Sequence, residues 1–426
     1  MAGWITIIRL GLVQLSLGAI VVLTTSTLNR LMVVEMALPA VLPGMLVALH
    51  YGIQITRPNW GFLSDIGGRR TMWIVGGMAA LGLGAFGAAL GVLLFDVSFA
   101  AGLALSIVAY ALIGLGVGAS GTSLLAMLAA ATVPERRAAA ATITWLMMIA
   151  GIAITAGSAG AFLDPYSPRR LLEVVAVVTL GAVAITALAV RGIESGLTRP
   201  LVPEVAPRFR DGLREVWSEP AARNFTLFVF LSMTAYFMQE LILEPYAGLV
   251  FGFTPGQSTQ LSGAQNGGVF LGMLIVGIAG TGLKIGSLRF WVISGCLGSS
   301  ASLAAIAGMG AAGADRLVPA VIMLGFFNGM FAVGAIASMM AMAGQGRAGR
   351  EGTRMGLWGA AQAMAAGFGG LIGAGAVDLA RGVLPESTAF GTVFLAEALL
   401  FAATAIMALR VIGAAPPRLQ TLVPGE

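Results

Sequence analysis

One histidine, one cysteine and five tyrosines serve a chain of 426 residues, and only 10% of its residues are charged. Each shortage excludes something. The single cysteine, Cys296, allows no intramolecular disulfide, and its place in an apolar run marks a small buried hydrophobe. One histidine and one cysteine leave no ligand cluster for a metal of the protein's own. Soluble domains carry about 25% charged residues, so a chain this poor in charge has no water-soluble solution. No nucleophile–base constellation and no phosphate loop stands in the sequence, so an enzyme is not expected. The glycine string GLGVGASG at 114–121 lies inside an apolar run, where close helix packing explains it better than nucleotide binding. The net charge of +5 is spread over separate loops, so no nucleic-acid partner is implied.

What is abundant is apolar. Hydrophobic residues make up 58% of the chain and glycine supplies 60 positions; the mean hydropathy is +0.92. An integral membrane protein follows, with the bilayer as a direct partner, and small residues let its helices approach closely. A barrel would show alternating segments of about ten residues. Runs long enough to span, about 20 residues each, recur twelve times instead: 8–28, 38–60, 71–94, 99–131, 140–163, 171–190, 223–248, 257–280, 288–311, 317–343, 354–380 and 389–411. Residues 4–28 are too long, and lack the small-residue pattern, for a cleaved signal peptide. The expected fold is therefore all-α and multi-pass.

Orientation follows from the basic residues. Nineteen of the 24 Lys and Arg fall on the side of the N-terminus, and five (Arg30, Arg169, Arg170, Arg316 and Arg381) on the other. Both termini are expected in the cytoplasm. The chain also reads as duplicated: Arg137 to Arg350 and Trp145 to Trp358 are each 213 residues apart, half the length. His50–Tyr51–Gly52 matches Asn266–Gly267–Gly268 at an offset of 216. Two six-helix halves are expected, 1–190 and 223–412, joined by a cytoplasmic linker at 191–222 and followed by a tail at 413–426. Within the linker, Phe209, Leu213, Val216 and Trp217 share one helical face, the mark of a short interfacial amphipathic helix.

Between the second and third spans stands GFLSDIGGRR, in which Gly61, Asp65, Gly68, Arg69 and Arg70 fit G-x-x-x-D-x-x-G-R-R/K. The glycines permit a tight reversal. Asp65 can face the positive start of a neighbouring helix while the arginines pair across a seam. This loop resembles the cytoplasmic signature of the major facilitator superfamily. The resemblance implies that Asp65 meets helix eleven, here beginning near Thr353, and that helices 1, 4, 7 and 10 line a central cavity. Residues 10–28, 101–131 and 317–343 hold no ionisable side chain; span seven offers Glu240 and Glu244 toward its outer end. Asp378 and Glu397 fall in helices outside the cavity set. A cavity so poor in charge suits a large apolar ligand better than a hydrated one.

The second span places the only histidine, His50, near mid-membrane, with Gln54 one turn away on the same face. Two readings stay open. In one, neutral His50 is an axial ligand to the magnesium of a pigment; in the other it is hydrogen-bonded inside the bundle to Gln54 or Asn59. Arg30 and Glu35 are expected at the outer membrane edge, as a snorkelling pair or a partner contact. Pro39 and Pro43 shape the entry to span two, Pro43 through a kink.

Three stretches, TLNRLMVVEMALPAVLPGMLVALHYG (27–52), RPNWGFLSDIGGRR (57–70) and MQELILEPYAGLVFGFTPGQSTQLSGAQNGG (238–268), resemble the PucC family, the bacteriochlorophyll-delivery branch of the superfamily. That resemblance implies the cytoplasmic or intracytoplasmic membrane of a photosynthetic bacterium. It implies a role in assembling light-harvesting or reaction-centre complexes. Bacteriochlorophyll or a late precursor would be a transient cofactor, antenna or reaction-centre polypeptides the partners, and pigment-synthesis enzymes further contacts. His50 and Gln54, with Gln265 and Asn266 at the duplicated position, would then hold pigment. Asn29, Arg30, Glu35, Gln239, Glu240 and Glu244 would form polar edges that clasp each other or an antenna helix. Gly61, Asp65, Gly68, Arg69 and Arg70 would lock or gate the cytoplasmic side. The competing expectations are a secondary transporter of a neutral or apolar solute or pigment precursor, and a closed membrane scaffold.

Overall fold

A computed structural model describes residues 4–57, 60, 70–132, 137–194, 217–282, 285–313, 316–343 and 351–413. Among these residues the ordered elements are all helical. In chain order they are α1 (Trp4–Glu35), α2 (Val41–Ile53), α3 (Arg70–Leu94), α4 (Phe99–Ala131), α5 (Arg137–Leu163) and α6 (Pro168–Val190). There follow α7 (Pro220–Phe251), α8 (Pro255–Val276), α9 (Leu288–Ala312), α10 (Leu317–Ala343), α11 (Glu351–Arg381) and α12 (Glu386–Val411). Eleven of them are long and apolar enough to cross a membrane. The exception is α2, shorter and apolar, prolonged by a 3₁₀ turn at Gln54–Thr56.

Caps explain several boundaries. Ser98, Ser167 and Ser287 stand in extended backbone before α4, α6 and α9, and each hydroxyl accepts a first-turn N–H. Thr254 and Gln257 form a reciprocal capping box at the start of α8. Gly252 (φ +69°) and Gly313 (φ +65°) end α7 and α9 in the left-handed region, where a side chain would be strained.

Two expectations are corrected here. The first helix does not stop near residue 28. It runs to Glu35 through two wide π-type turns, Leu23–Thr27 and Leu31–Glu35, which carry Asn29 and Arg30 into the bundle. The second helix begins only at Val41, so Pro43 lies in its first turn, where a missing N–H breaks no helical bond, and the expected kink does not arise.

Side chains gather in two main cores, one drawn mostly from residues 7–193 and one from 225–412. Between the two groups of helices run two seams: α2 against α11, and α5 against α8. Glycine permits the second. A methyl on Gly160 would stand 2.5 Å from the Gly256 carbonyl oxygen, and one on Gly263 would stand 2.7 Å from the Gly157 nitrogen. Backbone therefore meets backbone there.

Candidate functional site

At the end of the bundle opposite the termini, polar groups of α1 reach into the second set of helices. Thr27 and Thr259 share a hydroxyl hydrogen bond of 3.1 Å. The Asn29 amide donates to the Leu241 carbonyl at 2.8 Å, in the 3₁₀ turn that interrupts α7. Arg30 pairs with Glu35 at 2.5 Å and donates to the Phe253 carbonyl at 2.7 Å. Arg30 is 2% exposed, so the expected snorkelling pair at the membrane edge is corrected. The wide turns of α1 aim Arg30 inward over Gly248, where a Cβ would press within 3.2 Å of the guanidinium. Glu244 is buried and accepts from the Ser262 hydroxyl. The Gln239 amide donates to the Tyr236 carbonyl at 3.3 Å, and Glu240 lies beside the Thr25 hydroxyl. All six predicted edge residues therefore lie where α1 meets α7 and α8.

Two further carboxylates tie the same end together, and sequence reasoning missed both. Asp378, on α11, accepts from the backbone N–H groups of Ala40 and Val41 at 3.0 and 2.7 Å, so it caps α2 across the seam. Asp164, after α5, accepts from the Thr254 hydroxyl at 2.7 Å and ties α5 to the cap of α8. Neither has a local motif, because the group each one satisfies lies far away in sequence.

Deeper in the bundle, α2 carries a chain of three side chains on one face. Gln54 and His50 meet through their Nε2 atoms at 3.0 Å, and Arg57 donates to the Gln54 carbonyl oxygen. The roles follow from chemistry. Arginine only donates, so Gln54 Oε1 accepts. The Gln54 amide nitrogen then donates to His50 Nε2, and the proton of the neutral imidazole stands on Nδ1. That Nδ1 is buried with no hydrogen-bond partner among the described residues. The His50 carbonyl lies against Gly114, halfway along α4, which sets the imidazole at mid-depth. Beside it the Tyr51 ring meets His50 edge-on, with centroids 4.7 Å apart, and Phe237 of α7 at 6.1 Å.

The four predicted pigment residues are not brought together. Gln265 and Asn266 lie on α8, which packs on α5 and α10, whereas α2 packs on α4 and α11. The Asn266 amide donates to the Ser262 carbonyl at 3.0 Å. Asn59 and the loop residues Gly61, Asp65, Gly68 and Arg69 lie outside the described residues, as do 195–216 of the linker and 414–426 of the tail. Arg70 opens α3, and its backbone N–H, with that of Thr71, donates to the Glu194 carboxylate at 2.6 and 3.0 Å. Partial burial alone would raise the Glu194 pKa. Hydrogen bonds from Thr71 and Arg70, together with the Arg70 charge, outweigh it and hold the carboxyl below the usual range.

A family model described as PUCC protein matches residues 27–415. The chain belongs to the PUCC protein family. It is 68% identical to the "Bacteriochlorophyll synthase 44.5 kDa chain" of Rhodobacter capsulatus, covering 100% of this chain and 99% of that one. It is 28% identical to "Protein PucC" of Cereibacter sphaeroides, over 90% of this chain and 86% of the relative. Among solved structures, a POT family transporter in complex with a thioalcohol-conjugated peptide matches with a TM-score of 0.69 at 12% identity, covering 95% and 96% of the two chains. At that identity the likeness gives the fold alone, a multi-pass bundle of the transporter-like major facilitator type. The PUCC match takes in the outer ties and the α2 chain alike, since both lie within residues 27–415.

Arg57 was read from sequence only as one more cytoplasmic charge. In this PUCC family member it is the third partner of the α2 chain. The i, i+3 and i+4 spacing of Arg57, Gln54 and His50 was the available signal.

Proposed function

We propose that this protein is an assembly factor for photosynthetic pigment–protein complexes. It binds bacteriochlorophyll or a late precursor within the membrane and hands it to antenna or reaction-centre polypeptides. The observation that carries this reading is the 68% identity, end to end, to a protein named for bacteriochlorophyll synthesis, within a PUCC family match over residues 27–415. The word synthase belongs to that relative. For this chain we infer a carrier's part, in which binding and orientation take the place of bond-making, with pigment-synthesis enzymes as neighbours.

The interior supports a pigment rather than a hydrated solute. His50, Tyr51 and Phe237 place an imidazole among aromatic rings at mid-depth. In the proposed bound state His50 Nε2 coordinates the pigment magnesium. Gln54 must first release that nitrogen, since it holds it at 3.0 Å here. Gln265 and Asn266, on α8, would meet the polar rim of the pigment from the other set of helices.

Purification in detergent from a pigment-producing host, followed by an absorbance spectrum and pigment extraction, tests this. Wild-type protein should carry pigment. His50→Ala should lose most of it while folding normally. Pigment-free wild-type protein, with antenna levels unchanged on deletion of the gene, rules the reading out. Substrate-dependent uptake of an unrelated neutral solute into proteoliposomes would favour the transporter instead.

A further inference from the structure

Arg57 is a charge in the wrong place for a protein that has no use for it. Its Cγ lies 4.0 Å from where a methyl on Gly118 of α4 would stand, and Trp60 Nε1 lies 3.2 Å from the same point. The neighbouring turn of α4, at Ser120, packs on Gly77 of α3. Gly77 is seven residues, about 10 Å, in from the cytoplasmic start of α3. The guanidinium therefore sits well inside the membrane layer, where a charged side chain costs about 2.5–3.5 kcal/mol even by insertion scales. Among the described residues no carboxylate pairs with it; its hydrogen-bond partner is the Gln54 carbonyl oxygen. It is nonetheless accessible, although protein encloses it on most sides. Such a guanidinium can be reached by a ligand without being free in water. Tyr51, on the same helix, faces Phe237 of α7 and Gly367 of α11.

We propose that Arg57 receives a free carboxylate of the ligand, so that the cargo is a metal-bearing tetrapyrrole acid rather than its ester. This rests on the pigment reading above and narrows it. Guanidinium and carboxylate match as a two-pronged pair. The same contact prepares the other end of the site. Once a carboxylate takes Arg57, the Gln54 amide is no longer fixed in orientation and can release His50 Nε2. The single amide of Gln54 spans the gap between His50 Nε2 and the Arg57 guanidinium, so one ligand can present a metal to the first and a carboxylate side arm to the second.

The test is a titration of the purified full-length protein with a zinc chlorin free acid and with its methyl ester, followed by absorbance. The acid should bind at least about tenfold more tightly than the ester, the scale of one charge-assisted hydrogen bond. Arg57→Gln should abolish the difference between acid and ester, while Arg57→Lys should keep part of the preference. Equal affinity for acid and ester in the wild type, or a preference that survives in Arg57→Gln, overturns the proposal and leaves pigment binding standing. Binding of neither form sinks both readings. Competition by phosphatidylglycerol vesicles that abolishes the acid preference, with no effect of phosphatidylcholine vesicles, would assign Arg57 to a lipid phosphate instead. The wild-type comparison and the vesicle competition decide the matter even if Arg57→Gln fails to fold.

Discussion

Arg30 and Arg57 lie on consecutive helices and are handled in opposite ways. Arg30 is 2% exposed, ion-paired with Glu35 and bonded to the Phe253 carbonyl. Arg57 is accessible, bonded to a neutral amide and without a counter-charge among the described residues. The first arginine is part of the structure, because taking its partner away would strand a buried charge. The second has its strongest interaction still to make. An intramembrane arginine thus reads as architecture or as recognition according to whether the protein supplies its carboxylate.

Three variants sharpen or break that contrast. Arg30→Leu should do the most damage. It leaves the Phe253 carbonyl without its donor, a loss of roughly 1–3 kcal/mol, while Glu35, 35% exposed, stays solvated. The checks are melting temperature and monodispersity in detergent, and a melting point within a degree or two of wild type would show that Arg30 is dispensable. Asp378→Asn keeps the shape of the cap on α2 but halves its acceptors and removes its charge, for about 1 kcal/mol. That loss should appear as a lower melting temperature and faster labelling of a cysteine placed at Val41, in a Cys296→Ser background. Arg57→Leu should leave stability unchanged or raise it, since it takes an unpaired charge out of the membrane layer, and should do its harm in ligand binding. If Arg57→Leu unfolds the protein as Arg30→Leu does, the division between the two arginines fails.

Much of the fold was legible because bilayer physics leaves few choices. Twelve apolar runs, a one-sided distribution of arginine and a repeat at half the chain length follow from composition and spacing. The boundaries of α1 and α2 were harder. The wide turns at Leu23–Thr27 and Leu31–Glu35 carry no residue signature, so a window of hydropathy ended the first span before Asn29 and Arg30. The pairing of His50 with Gln54 could be read from their i, i+4 spacing. The remote partners could not. Asp378 caps residues 337 and 338 positions away, and Asp164 meets Thr254 across 90. Such contacts belong to packing geometry, which no local pattern encodes. The expected relation of His50 to Asn266 appears in the packing as well as in the sequence offset, since α2 lies on α4 and α11 as α8 lies on α10 and α5; the two residues occupy equivalent places without meeting.

The seam between α5 and α8 has a mechanical consequence. Where Gly157, Gly160, Gly256 and Gly263 meet, the two surfaces carry almost no side-chain teeth to disengage. Two smooth rods in contact can roll or tilt without first unlocking a set of interlocked knobs. Motion along this line is opposed instead at its two ends, by the Asp164–Thr254 tie on one side and by the side-chain cluster of Ile149, Val269 and Met273 on the other. Any residue larger than glycine at Gly160, Gly256 or Gly263 would act as a wedge, fixing the angle at which the helix groups stand.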